Sequence, residues 1–314
     1  METATMNIKV YITLLLSAFF WGGSAIAGKF SLAIFFPSTV TFLRFFIAAI
    51  IILIFLKNKK QLMVIDPVMH LKMFITAIFG VTLCYYFYFK GLNSSSAFNA
   101  GIIEATIPLI TLLFAALSGM EHVKAWQLIG LFIAYLGVTI TITGGDLNIL
   151  SVAAYHKGDI LLLISTLCFG VYNVLIKRWT MPLSGMARMF YLFIYGSIAF
   201  VPWVIIDFYD FHGFIYPNMH ISVISILSIL FMSIGGSVLA YLFFNQGIEA
   251  IGATKAASFI NVVPFITVLL SVFVLKEPAG PLKWAGAVII MSGVMLSNRA
   301  TVKQQQTICQ RRHF

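Results

Sequence analysis

A few residues in this sequence combine a chemistry-bearing side chain with an apolar setting. Glu104 is the single carboxylate well inside an apolar run, about seven residues or roughly 10 Å along a helix from its polar edge. An ionisable group at that depth is costly to keep in lipid, so its default reading is a solute or proton site. Arg44 lies at a similar depth in another run, and a Glu104–Arg44 ion pair offsetting two desolvation costs is the structural alternative. Unpaired and dry, Glu104 favours its neutral form and can exchange protons near neutral pH; beside Arg44 it stays charged and can hold an amine.

Around these charges the sequence offers aromatic and amide groups. Ser237, Tyr241 and Asn245 recur every four residues on one slowly drifting helix face, and Tyr85 occupies a matching place earlier in the chain. With Trp21, Asn173 and Asn261 they form the expected lining for an amphipathic organic solute. The competing reading of the tyrosines is as ordinary membrane-interface anchors. Pro108 and Pro264 lack an amide hydrogen and free the carbonyls of Glu104 and Ile260, so each helix is expected to break there, beside a cavity or as a plain kink. Arg188 is expected to anchor a helix end to phosphates or carbonyls. All six histidines, His70, His122, His156, His212, His220 and His313, fall in loops, tails or a first turn. Neither they nor Cys84, Cys168 and Cys309 have the spacing of a metal site or disulfide framework, and no Walker, diphosphate or haem motif is present. No cofactor or metal is expected, and an intramembrane enzyme or lipid transferase is the competing function class.

The elements that must position these residues are apolar helices. Of 314 residues, 61% are hydrophobic and 10% charged, against about 25% charged in soluble domains, and the mean hydropathy is +0.99. Runs of about 20 apolar residues fall near 8 to 28, 38 to 56, 70 to 90, 97 to 118, 124 to 143, 158 to 177, 184 to 206, 220 to 245, 254 to 275 and 281 to 298. Ten spans put both termini on one side. With that side cytoplasmic, thirteen Lys and Arg residues lie inside (Lys9, Lys57, Lys59, Lys60, Lys72, Lys124, Lys177, Arg178, Lys255, Arg299, Lys303, Arg311, Arg312) and five outside (Lys29, Lys90, Lys157, Lys276, Lys283). The positive-inside rule therefore places both ends in the cytoplasm. The net charge of +10 is in this reading a topology signal and not a nucleic-acid footprint.

The sequence also repeats itself. Residues 80 to 137 slide onto 236 to 293 without a gap, with fifteen identities over 58 positions at one offset of 156. They include Gly80, Tyr85, Ile110 and Thr111, and also Gly91, Pro108, Glu121, Gly130 and Gly137, which hydrophobic composition alone does not readily align. Leu14, Leu15, Gly22 and Lys29 match Leu162, Leu163, Gly170 and Lys177 at offset 148, and Arg44 matches Arg188 at 144. That recurrence argues against reading Ala25-Ile26-Ala27 as a signal-peptide cleavage site. Five spans per half is odd, so the halves are expected to enter the membrane in opposite directions, the arrangement of many secondary transporters.

These features together resemble the EamA branch of the drug/metabolite transporter superfamily. They are Trp21-Gly22 and Phe169-Gly170, the Pro37 to Arg44-Phe45 segment, Pro108 and Pro264, and the paired segments Gly130 to Val138 and Gly286 to Val294. The resemblance spans Tyr11 to Asn298. It implies a central cavity lined by the first, third, fourth, sixth, eighth and ninth helices, and often export of amino acids or related metabolites. The expectation is thus an all-α integral membrane protein of ten transmembrane helices in two inverted five-helix repeats. An N-terminal tail (1–7) precedes the first repeat (8–143), a linker (144–157), the second repeat (158–298) and a basic cytoplasmic tail (299–314) beside anionic lipid. It would work as a monomer in a bacterial inner membrane, moving a small organic solute by alternating access around a midplane cavity.

Overall fold

The computed structural model describes residues 2–60, 64–120, 124–143, 157–179, 183–211, 213–217, 219–251, 256 and 258–311, without the side chains of 2–8, 142–143, 211, 258 and 297–311. Glu121, Lys255, His122, His156, His212 and His313 and nearly all of the expected linker lie outside that set. The described chain is helical, its one strand-like pairing being an isolated Phe35–Ile215 bridge.

Helix starts follow local chemistry. α1 covers Glu2–Leu32. Pro37 opens α2 (Pro37–Asn58), supplying a fixed φ where no amide donor is needed. In α3 (Pro67–Ser94), Pro67 follows the Asp66 cap, whose side chain accepts from the Met69 amide. Ser96 caps α4 (Ala97–Leu117) through the Asn99 amide. The next helices are α5 (Ala125–Thr143), α6 (Lys157–Arg178) and α7 (Gly185–Phe211). α8 (Val223–Ile251) is capped by Ser222. α9 enters as a tight turn, Ser258–Asn261, and continues as Val262–Phe273. α10 (Pro281–Arg311) runs on through the expected tail, since residues 299–311 hold neither Gly nor Pro to stop it.

Among the described residues seven helices are long and apolar enough to cross a membrane, and α5, α9 and α10 carry shorter apolar stretches. Outward-facing side chains such as Ile54, Phe132, Tyr135, Ile205, Leu227 and Val288 are exposed, an apolar coat that suits lipid and not water.

Two interruptions recur at matched positions. α3 widens into a π-helical stretch at Ile78–Leu83 and α8 does so at Phe231–Leu239, covering positions related by the offset of 156. α4 breaks after Glu104 and resumes at Ile107, just before Pro108, and α9 changes from a tight turn to α-helix at Val262, just before Pro264. The proline breaks were legible beforehand; the π segments were not.

Packing is organised across the two halves of the chain. α2 lies on α7, α5 on α10, α1 on α8 and α9, and α6 on α3 and α4. Individual contacts repeat too. Gly22 of α1 faces Ile266 of α9, and the matched Gly170 of α6 faces Ile110 of α4; Gly91 of α3 faces Leu162 of α6, and Gly247 of α8 faces Leu14 of α1. In the α5–α10 pair a Cβ on Gly137 would stand 2.8 Å from the Gly286 carbonyl, and one on Gly293 would stand 2.5 Å from that of Gly130. Residue numbers rise on one helix as they fall on the other, so α5 and α10 cross antiparallel. Their small residues let the backbones touch within this one chain.

Candidate functional site

Helices from both halves enclose a cavity of about 520 Å³, within the size range of small-molecule sites. Seven aromatic side chains line it: Trp21, Tyr85, Tyr88, Phe169, Tyr172, Tyr241 and Phe244. Arg44, Glu104, Asn173 and Asn261 supply the strongly polar groups, and Pro108 and Pro264 lie in the wall where α4 and α9 are interrupted. Nine of the residues singled out from sequence therefore meet around one space: Trp21, Arg44, Tyr85, Glu104, Pro108, Asn173, Tyr241, Asn261 and Pro264.

Asn245 does not join them. Its amide lies against Gly185 at the start of α7, outside the cavity wall. A four-residue step advances about 40° around a helix whereas a three-residue step falls back about 60°. The wall of α8 runs from Tyr241 to Phe244, three residues on, and leaves Asn245 on the other side. Phe244 and Tyr88 are matched positions three residues after Tyr241 and Tyr85, so the repeat combined with helical spacing could have revealed both. Tyr172, Ser24 and Thr111 were also missed.

Arg44 is 3% exposed and is held by a hydroxyl and two aromatic rings. Its Nε donates to Ser237 Oγ at 3.0 Å, and its guanidinium carbon lies 4.9 Å from the Tyr85 ring centre and 5.1 Å from that of Phe45, close enough for cation–π attraction. Among the described residues no hydrogen bond joins Glu104 to Arg44; both line the cavity, and the Arg44 charge acts on Glu104 across it. The reason is local: the π-helical stretch of α8 brings Ser237 to Arg44, and Gly236, with no side chain, leaves the guanidinium room.

Elsewhere the walls are braced. Trp21 meets Tyr241 edge-on at 5.0 Å and Phe244 at 5.3 Å. Asn173 Nδ2 donates to Thr111 Oγ1 at 3.0 Å, tying α6 to the second segment of α4. Arg188 donates to the Leu183 carbonyl at 3.4 Å, the helix-anchoring contact expected of it. Among the described residues no group of His, Cys, Asp or Glu could hold a metal ion.

The cavity is off-centre. Its wall reaches Ile260 and Asn261 in the first turn of α9, but includes no residue from the terminal turn of any helix at the other end, where Glu277 lies. There Phe89, Leu92, Ala97 and Phe98 are fully buried and close the space.

The sequence profile of the EamA-like transporter family matches residues 8–143 and again 156–299. The chain belongs to that family. Among similar EamA-like proteins, the uncharacterized transporter YyaM of Bacillus subtilis is 29% identical over 296 residues, covering 93% of this chain and 94% of its own. An uncharacterized transporter of Archaeoglobus fulgidus is 27% identical over 301 residues, covering 96% and 100%. A crystal structure aligns over 94% of this chain and 98% of its own with a TM-score of 0.64 at 16% identity, a likeness of fold alone. Family membership and the apolar helices make this EamA-like chain an integral membrane protein with a general transporter role.

Proposed function

We propose that the chain is a secondary transporter that exports amino acids or related small organic solutes by alternating access. The observation that carries this reading is a cavity lined by aromatic residues of both halves, with Arg44 and Glu104 both in its wall. A guanidinium and a carboxyl in the wall of one aromatic-lined space suit a solute carrying both a carboxylate and an amine. Glu104 is the solute-amine or proton site, Arg44 the carboxylate site, and Trp21, Tyr85, Tyr241, Asn173 and Asn261 shape the pocket around them.

The ten helices act as two inverted repeats, 8–143 and 158–298, joined by 144–157 and followed by the basic tail 299–314. The exchange-symmetric packing and the antiparallel α5–α10 crossing support this architecture. The charge balance supports both termini in the cytoplasm and the Glu277 end outside; the membrane in this reading is a bacterial inner membrane. In that frame the cavity opens inward. Solute enters from the cytoplasm, the halves rock about α1 and α6, and the cavity opens outward. The working unit is a monomer in lipid.

Purified protein in liposomes tests the reading. A panel of amino acids, purines and cationic metabolites, with and without an imposed pH gradient, should reveal counterflow of at least one zwitterionic solute whose mass is unchanged. A solute that is chemically altered, or transport confined to solutes lacking a carboxylate, overturns it.

A further inference from the structure

We infer that Glu277 is the latch of the closed end, holding the first segment of α4 so that the cavity cannot open on that side; this rests on the alternating-access reading. Glu277 sits in the turn between α9 and α10, after Lys276, whose φ of 56° marks a left-handed residue in a tight turn. Its amide is fixed to the Ser271 carbonyl at 3.2 Å. Its two carboxylate oxygens each take one amide at the start of α4, Ala97 at 2.8 Å and Phe98 at 2.9 Å. Those are amides that a helix leaves without internal partners. A carboxylate there gains two charge-assisted bonds and the favourable end of the helix dipole.

What Glu277 grips is a short rod. The first segment of α4 spans Ala97–Glu104 and is cut from the rest of the helix by the break before Pro108. Glu277 therefore holds one end of an eight-residue segment whose other end is the cavity residue Glu104. Ser95 and Asn99, flanking the same helix start, both donate to Asp159 Oδ1 of α6, and Lys29 Nζ donates to the Ser95 carbonyl. Asp207 of α7 accepts from Ser38 of α2, and Tyr216 Oη accepts from Asn93 at 3.1 Å. Apart from the Lys29 bond, each of these contacts joins the two halves of the chain. Opening this end requires breaking them; Glu277 holds the segment that carries Glu104 by its backbone, while Asp159 reaches it through the Asn99 side chain. Release of the latch frees that segment and with it the position of Glu104.

The test is side-specific access to the cavity. In a chain with Cys84, Cys168 and Cys309 replaced by Ala, Ser24→Cys places a small reporter on the cavity wall. Vesicles are labelled from the Glu277 side with a membrane-impermeant methanethiosulfonate. Glu277→Gln keeps the shape but cannot accept from both amides, and should raise the labelling rate about tenfold from that side while lowering it from the other. Lys29→Gln, which loses the bond to the Ser95 carbonyl at the same helix start, should give a smaller rise in the same sense as Glu277→Gln. An unchanged rate in Glu277→Gln, or a rise from both sides, overturns the latch. A Glu277→Gln chain that fails to fold leaves Lys29→Gln to decide, since a wild-type rate there is equally fatal. If labelling shifts as expected yet no solute moves in liposomes, the transport reading fails while the latch stands.

Discussion

Matched residues in the two halves have acquired different partners, and that difference gives the cavity its polarity. Arg44 and Arg188 occupy corresponding places, as do Ser237 and Val81. Arg44 finds the Ser237 hydroxyl and turns into the cavity; Arg188 faces no such hydroxyl, turns back to the Leu183 carbonyl, and keeps a buried Nε without a partner. Glu104 likewise faces Ile260 across the repeat, so the cavity holds one acid and one base on the first half only. Replacing Arg44 by Met should therefore raise the KM for a carboxylate-bearing solute by about ten- to a hundredfold, the worth of a charged hydrogen bond in a desolvated site. Arg44→Lys should recover only part of that, since an ammonium cannot span Ser237 and stack on Tyr85 together. Glu104→Gln should abolish the dependence of solute flux on an imposed pH gradient; full rate, affinity and gradient dependence in that variant refute a coupling role. Glu104 and Arg44 were legible in the sequence because charge inside an apolar run is conspicuous. Asn245 misled because an amide at helical spacing says nothing about which side of the helix a cavity will occupy.

Helix interruptions carry the next level of behaviour. Proline breaks α4 and α9 visibly in the sequence, whereas the π-helical stretches at Ile78–Leu83 and Phe231–Leu239 have no residue signature beyond Gly80, Gly235 and Gly236. They arise from packing, where Gly80 meets Tyr172 and Gly236 meets Ser24, and a π turn re-aims the residues after it. Restoring the missing donor with Pro264→Ala should straighten the entry to α9 and slow transport while leaving the unfolding temperature in detergent unchanged or raised. The α5–α10 crossing has the opposite character, since its role is support. A Cβ on Gly286 would stand 2.8 Å from the Gly137 carbonyl and closer still to Thr141, so a side chain there must push two backbones apart. Gly286→Val should cost about 1–3 kcal/mol and lower the unfolding temperature by several degrees. The same substitution at Gly280, where a Cβ meets nothing within 4 Å, should leave it within about 1 °C, as a change making no new contact costs little.

At the scale of the whole molecule, the most extensive helix pairs all join residues before 144 to residues after 156: α2 with α7, α5 with α10, α1 with α8 and α9, α6 with α3 and α4. Each half is thus a set of helices whose best partners lie in the other half. Lipid offers no hydrophobic drive for helices to gather, so close packing and interhelical hydrogen bonds must hold them. Many of the latter also cross, among them Ser17 to the Ala240 carbonyl at 2.7 Å and Thr267 to that of Gly22 at 3.2 Å. Two consequences follow for the chain cut within 144–156. Residues 1–149 or 150–314 produced alone should insert as helices yet lack a stable bundle, seen as rapid proteolysis and no cooperative unfolding. Produced together they should associate, co-purify through a tag on one fragment and regain solute counterflow, because the cut removes no contact between the described helices. A first fragment that resists proteolysis and unfolds cooperatively by itself would mean that α1 to α5 form a self-sufficient bundle, and that rocking of interlocked halves is the wrong picture of how this protein moves.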